Sequence, residues 1–372
     1  MELQSVLAPP AIDEPAAQGA EARRVYPVLE PLNFSRYQAD DRVLGMIGFG
    51  AAAEAAGCGK APCAIIDMPV LGSSTARMEV WRGSRPATYG EASGIHYAEN
   101  GEVLFGLLSL SAAAIDDAAY RAYRRLIGFA REAGYPHLVR VWNHFPAIDE
   151  EQEGLERYHR FCLGRYQAFA EAGYAFGADL PAASALGTES GEFCLYFIAV
   201  RHASRQLENP RQLSAYRYPP CYGPRSPSFS RAALMGDQLF ISGTSSITGH
   251  ETLHAGKVAA QCLETLENLR AVLAQAGCGT AIDQAHAVWK VYLRSTAHFE
   301  TVRNILRPEL GPESEVLFLK GDICRANLLL EIEGVVSGVQ ASRLVATERL
   351  MALPHSSGEH RKSPSRETKF EG

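Results

Sequence analysis

Two glutamates stand inside an otherwise apolar run, Leu328-Leu329-Leu330-Glu331-Ile332-Glu333-Gly334-Val335-Val336. Side chains of a strand alternate between its faces, so Glu331 and Glu333 share one face. A carboxylate on an apolar strand is desolvated, which disfavours its charged form and raises its pKa. Such a group keeps its proton near neutral pH and is a candidate general acid. The bland alternative is an edge strand with both glutamates in water, where Glu usually resides.

Just upstream lies Cys324, with Asp322 and Arg325 beside it. By composition a lone Cys is a small buried hydrophobe. The adjacent Arg325 is expected to lower its thiol pKa and make it reactive. Cys324 and Glu331 are an odd number of positions apart, so one continuous strand would put them on opposite faces. They reach one pocket only if Cys324 lies in a loop or a bulge intervenes.

Gly243, in Ser242-Gly243-Thr244-Ser245-Ser246, reads as an ordinary turn glycine or as room for a ligand against a strand end. Arginines are the natural clamp for a carboxylate, because the guanidinium fork binds it bidentately. Arg157, Arg160 and Arg165 lie on one expected helix (GLERYHRFCLGR), and Tyr216, Arg217, Tyr218 and Arg225 lie in a Pro-rich connection (QLSAYRYPPCYGPR). Arg157, Arg165, Tyr216, Arg217, Tyr218 and Arg225 are the candidate binding groups, with Asn143 at a strand end beside them. For any one of these arginines, a solvated surface position is the alternative. His250 and His254 lack a placed third ligand for a metal. Gly48-Phe49-Gly50 lacks the rest of a dinucleotide-binding pattern, and no Gly-x-Ser-x-Gly elbow occurs.

The elements that must position these groups read as α/β. Apolar residues are 47% of the 372 and charged residues 21%, enough for a substantial core. A net charge of −6 without a basic block argues against nucleic acid as partner. No apolar run is long enough to span a bilayer. The N-terminus carries no basic n-region of a secretory signal, and the eight cysteines form no Cys-x-x-Cys pair. Both features suit a reduced, cytoplasmic protein. Residues 1–30 and 339–372 read as disordered tails, poor in periodic apolar residues.

Between the tails one grammar occurs twice. The first half reads as a strand at Val103–Ser109, a helix from Asp116 to about Gly134, a strand at Leu138–Trp142, a helix from about Glu150 to Gly173, and a strand at Glu192–Val200. The second reads as a strand at Gln238–Ser242, a helix from about Ala255 to Gly277, a strand at Ala287–Leu293, a helix at His298–Leu306, and strands at Glu315–Leu319 and Asn327–Val335. The expectation is two tandem modules, 31–210 and 211–338, each a mixed sheet packed against helices.

The second half, in YGPRSPSFSRAALMGDQLFISG, HAGKVAAQCLETLENLRAVLAQAG and LLLEIEGVV, resembles the Rid/YjgF family of chorismate mutase-like fold. The whole folded chain resembles the chorismatases, in RVWNHFPAIDEEQEGLERYHRFCLGR, AYRYPPCYGPRSPSFSRA, SGTSSITGHET and GDICRANLLLEIEG. That resemblance implies action on chorismate with release of pyruvate, without metal or organic cofactor. It implies that Glu331 protonates the enolpyruvyl methylene and that Arg and Tyr hold the two carboxylates. It also implies that the C4 hydroxyl attacks C3 to give an arene-oxide-like intermediate, opened with help from Cys324. Cys324 and Gly243 match members that form 3-hydroxybenzoate, and extended relatives also form 4-hydroxybenzoate. The alternatives are hydrolysis to a dihydroxycyclohexadiene carboxylate, a Rid-type imine deaminase, or a non-catalytic binder of an aromatic acid. Rid relatives are trimers, and a chain with two fused modules is expected to be a monomer or a homotrimer.

Overall fold

The computed structural model describes residues 25–50, 57–283, 287–311 and 314–339. The N-terminal part forms a four-stranded sheet of order β1-β4-β2-β3 from β1 (Val25–Pro31), β2 (Val43–Gly50), β3 (Cys63–Asp67) and β4 (Arg77–Gly83). Cys58 and Cys63 form a disulfide at the start of β3, a correction to the expectation of wholly reduced cysteines. β1 also corrects the expected tail, whose remaining residues 1–24 and 340–372 lie outside the described residues. β1 alternates buried and half-buried positions and pairs along its length with β4. Pro27 and Pro31 disguise it in the sequence, but an edge strand tolerates proline because its outer N–H groups need no partner. The Gln238 amide anchors it by donating to Val25 O (2.8 Å) and accepting from Val25 N (3.0 Å).

Two modules of one topology follow. The first contains β5 (Thr88–Ala92), β6 (Ile95–Glu99), β7 (Val103–Leu110), α1 (Ile115–Glu132), β8 (His137–Pro146), a hairpin of β9 (Glu151–Gln152) and β10 (Leu155–Glu156), α2 (Arg157–Glu171), β11 (Ala182–Thr188) and β12 (Phe193–Val200). The second contains β13 (Arg205–Leu207), β14 (Ala232–Met235), β15 (Gln238–Thr244), a hairpin of β16 (Ile247–Thr248) and β17 (Glu251–Thr252), α3 (Val258–Gln275), β18 (Ala287–Leu293), α4 (Phe299–Leu306), β19 (Glu315–Lys320), β20 (Asp322–Ile323) and β21 (Leu330–Ser337). The sheets run β5-β6-β7-β12-β8-β11, with β20 of the second module added at the β11 edge, and β13-β14-β15-β21-β18-β19. In each, the last pair (β8 with β11, β18 with β19) is parallel and the fourth strand is antiparallel to both neighbours. The duplicated α+β module is therefore present strand for strand.

The Ala-Gly helix stops also recur. Gly134, Gly173 and Gly277 have φ of +82°, +73° and +81°. After each, the next N–H reaches back to Ala130, Phe169 and Leu273, the bond pattern of a left-handed glycine cap. The second helix begins at Arg157 rather than Glu150, because Glu153 (φ +54°) and Gly154 (φ +80°) form the tight turn of the β9–β10 hairpin. The last strand begins at Leu330, three residues later than expected from Asn327.

α1 and α2 cover one face of the first sheet, with Tyr123, Ile127, Phe161 and Phe169 against Val141, Phe145 and Phe197. α3 covers the second with Cys262, Leu266, Leu269 and Leu273 against Ile241, Trp289 and Ile332. The helix-free faces meet each other and the N-terminal sheet in one core, where Ile47, Trp81, Phe105, Trp142, Tyr196, Phe240, Tyr292 and Val335 cluster. Among the described residues no helix is long and apolar enough to cross a membrane.

Candidate active site

The two modules touch along β11 and β15. Ala183 N donates to Ser242 Oγ (2.9 Å), and Gly243 N donates to Ser184 Oγ (2.9 Å). β20 crosses the seam and pairs with β11 of the first sheet, Ile323 opposite Leu186. The chain then bends through Cys324 before β21. Cys324 thus sits in a loop, which resolves the parity conflict with Glu331.

β21 alternates as a strand between two environments must. Leu330, Ile332 and Val336 face α3, whereas Glu331, Glu333 and Val335 face the shared core. Glu331 is 5% exposed and lines a recess at the seam. Its Oε2 lies 3.5 Å from Ser245 Oγ, which donates at 3.0 Å to Leu330 O. Burial and then the charge of Glu333 raise its pKa to about 8, against the pull of Arg140 and Arg231. The carboxyl lies against Gly243 so closely that a Cβ there would stand 1.9 Å from Oε1. An alanine at this place would force the carboxyl end of Glu331 to move.

Glu333 has the opposite character. Its Oε2 accepts from Arg140 Nη2 (2.6 Å) and from the Ser184 hydroxyl, and its Oε1 from Trp142 Nε1 (2.9 Å) and Tyr292 OH (3.0 Å). Lys290 Nζ lies 2.8 Å from Glu333 Oε1 and 3.0 Å from Glu79 Oε2. Burial alone would raise the pKa of Glu333, but Lys290 and Arg140 hold it at about 2. Two neighbouring glutamates therefore differ in protonation.

Two cationic edges face the acid. Arg165 on α2 is 1% exposed, packs on Phe161 and Phe229, and has a buried Nε without a partner among the described residues. Arg231 donates to Tyr218 OH and Leu213 O (both 2.9 Å), and its Nε is likewise buried and unpartnered. Unpaired buried donors suit an anionic ligand. At the rim Arg325 lies 4.0 Å over the Tyr222 ring and donates to His250 O (2.9 Å). Cys324 lines the same recess. Its thiol is pushed up to about 12 by burial and by Glu331, which outweigh Arg325. The expectation of a low-pKa thiolate is corrected. Any role of Cys324 is that of a neutral thiol.

Of the residues singled out in the sequence, Glu331, Cys324, Gly243, Arg165 and Tyr218 meet in this recess. Others do not. Arg157, at the start of α2, turns back to Ala112 O (2.8 Å), Gln152 Oε1 (2.7 Å) and Pro146 O (3.3 Å). Tyr216 packs at Gly177 on the first module, with exposed Arg217 over its ring. Arg225 is exposed over Tyr166 in a surface groove beside Asp116 and Asp117. Asn143 is buried behind the recess, accepting from Tyr123 OH (3.0 Å) and donating to Ser184 O (2.8 Å). Arg231 and Arg325 as binding groups, and Glu79, Lys290 and Arg140 as the partners of Glu333, were missed. Arg140 and Lys290 carried a usable signal, a lone charge within an apolar strand (LVRVW, AVWKVYL).

A duplicated αβ scaffold with a buried acid facing arginines across its seam defines a two-module enzyme. Residues 79–199 match the family described as chorismatase FkbO/Hyg5-like, N-terminal. The chain is 36% identical over 275 residues to a 3-hydroxybenzoate synthase of Streptomyces hygroscopicus, covering 69% of this chain and 81% of that one. It is 39% identical over 277 residues to a chorismatase of Streptomyces rapamycinicus, covering 70% and 82%. A crystal structure of a chorismatase superposes with a TM-score of 0.77 at 34% identity, covering 85% of this chain and 99% of that one. The chain belongs to the chorismatase family.

Proposed function

We propose that this enzyme converts chorismate into 3-hydroxybenzoate and pyruvate. The observation that carries the reading is Glu331, a buried carboxylic acid that titrates near 8 and opens on a recess edged by arginines. Arg165, Arg231 and Arg325 hold the substrate carboxylates, taking the place assigned in the sequence to Arg157 and Arg225. Glu331 gives its proton to the enolpyruvyl methylene, and the resulting oxocarbenium ion weakens the C3–O bond. The C4 hydroxyl, losing its proton, attacks C3 and expels pyruvate. The C4–O bond of the arene oxide then opens, its oxygen takes a proton on C3, and loss of a ring proton aromatises the product. No water is consumed, and no step calls for a metal or cofactor.

Cys324, as a neutral thiol beside the ring, supports the aromatising outcome over hydrolysis to the dihydrodiol acid. A recess built from α2 of the first module and β21 of the second supports a two-module activity over a Rid-type deaminase or a passive binder. The share of 4-hydroxybenzoate belongs to the same assay. Three sheets of one chain close the shared core, which supports a monomer over a homotrimer; light scattering on a sizing column tests this. Free thiols at Cys162, Cys194, Cys221, Cys262 and Cys324 support a reducing, cytoplasmic setting, against which the Cys58–Cys63 disulfide stands.

Chromatography of chorismate incubated with the purified protein tests the reading. Expected products are 3-hydroxybenzoate and pyruvate in equal amounts, with one deuterium in the pyruvate methyl group when the solvent is deuterated. Unconsumed chorismate, or the dihydrodiol acid as sole product, refutes it.

A further inference from the structure

Glu331 is one of three carboxylates in a buried core that holds two cations nearby. Lys290 lies between Glu79 and Glu333, and Arg140 lies on Glu333. All four are at most 5% exposed, so solvent screens them little. Two cations and two anions balance, and the cluster has no charge left for a third carboxylate. The other groups facing Glu331 are Ser245 from the loop after β15, Tyr292 opposite it on β18, Cys324 from the loop after β20, Tyr158 and His159 from α2, Tyr218 and Tyr222 from the connection between the modules, and Arg165, Arg231 and Arg325. Only the last arginines are cationic, and they edge the recess that takes the anionic substrate.

We propose that Glu333 is a positioning residue that keeps Glu331 protonated, by claiming the buried cations that Glu331 would otherwise ionise against. The inference rests on Glu331 being the acid of the proposed reaction. The strand sets the separation, since residues two apart on one face are about 7 Å apart. At that distance, with an effective dielectric near 20, a charge on Glu333 disfavours ionisation of Glu331 by about fiftyfold. Ser184 ties the pair to the substrate side: its hydroxyl donates to Glu333 and accepts from Gly243 N, the residue against which Glu331 lies. The acid is thus armed from behind by an ion cluster that touches no substrate.

The test is the pH profile of kcat for the wild type, Glu331→Gln, Glu333→Gln and Arg140→Gln. Removing the Glu333 charge frees Arg140 and Lys290, so Glu331 should ionise at lower pH. The alkaline limb then moves down by more than one pH unit. Activity falls by about twentyfold at pH 8, yet stays within about twofold of wild type at pH 5.5. Arg140→Gln should move the limb upward, and it carries the test alone if Glu333→Gln shows no cooperative melting transition. A merely structural role would lower activity evenly across pH. If Glu331→Gln is inactive but neither other variant moves the limb in the stated direction, the inference falls. If Glu331→Gln keeps a wild-type profile, the proposed reaction falls instead.

Discussion

Glu331→Gln separates the chemical duty of this side chain from its cost to the fold. The buried carboxyl titrates at about 8, against an ordinary value of 4.5. Between these pH values the folded protein binds a proton that the unfolded chain has released, so stability falls as pH rises. Its contribution is intact below pH 4.5 and lost by the time pH passes 8. Three and a half pH units at 1.36 kcal/mol each amount to about 5 kcal/mol above pH 8, and about 3 kcal/mol at pH 7. Glutamine has nearly the same shape and no charge to desolvate, so the variant escapes this loss. Urea unfolding at pH 5, 7 and 9 should show the variant and wild type close together at pH 5, with the variant increasingly the more stable towards pH 9. Pyruvate release should meanwhile fall by about 10²–10⁴-fold, the usual worth of a general acid. A stability gap that is the same at pH 5 and pH 9 would refute the reasoning, because a solvated glutamate predicts no such divergence.

Three further outcomes follow from the same geometry. Gly243→Ala places a methyl 1.9 Å from Glu331 Oε1, so the carboxyl must swing away. A displacement of about 1 Å costs on the order of a hundredfold in kcat, with little change in unfolding midpoint; wild-type kcat would show that the acid lies elsewhere. Cys324→Ala should divert product towards the dihydrodiol acid, measured by chromatography, and an unchanged product at an unchanged rate would remove the thiol from the mechanism. Lys290→Met leaves Glu79 and Glu333 without a shared cation and should destabilise the protein by about 3–5 kcal/mol in chemical denaturation. A loss below 1 kcal/mol would mean that the cluster is solvated.

The elements that carry the acid were legible because local signals were strong and consistent. The run around Glu331 combines apolar alternation with charge, and Ala287–Leu293 matches β18 residue for residue. Three Ala-Gly pairs mark helix ends through a backbone conformation that glycine adopts without strain. The N-terminal sheet was not legible. β1 hides behind its prolines, and β11, the strand that lines the seam, is too rich in small residues (AASALGT) to stand out.

By itself the sequence determined the repeated module, the strand that bears two carboxylates on one face, and the presence of cysteine and glycine beside it. Each is set by neighbours a few residues apart, through strand alternation and helix capping. The protonation states of Glu331 and Glu333 were decided only by tertiary structure. One lies buried against a glycine at the recess and the other between Lys290 and Arg140, which come from separate sheets. The same is true of the proposed clamp: Arg157 turns back to its own loops, while Arg231 and Arg325 are carried to the seam by segments far apart in the chain. A side chain's charge follows from what surrounds it in space, and sequence spacing does not encode that across sheets.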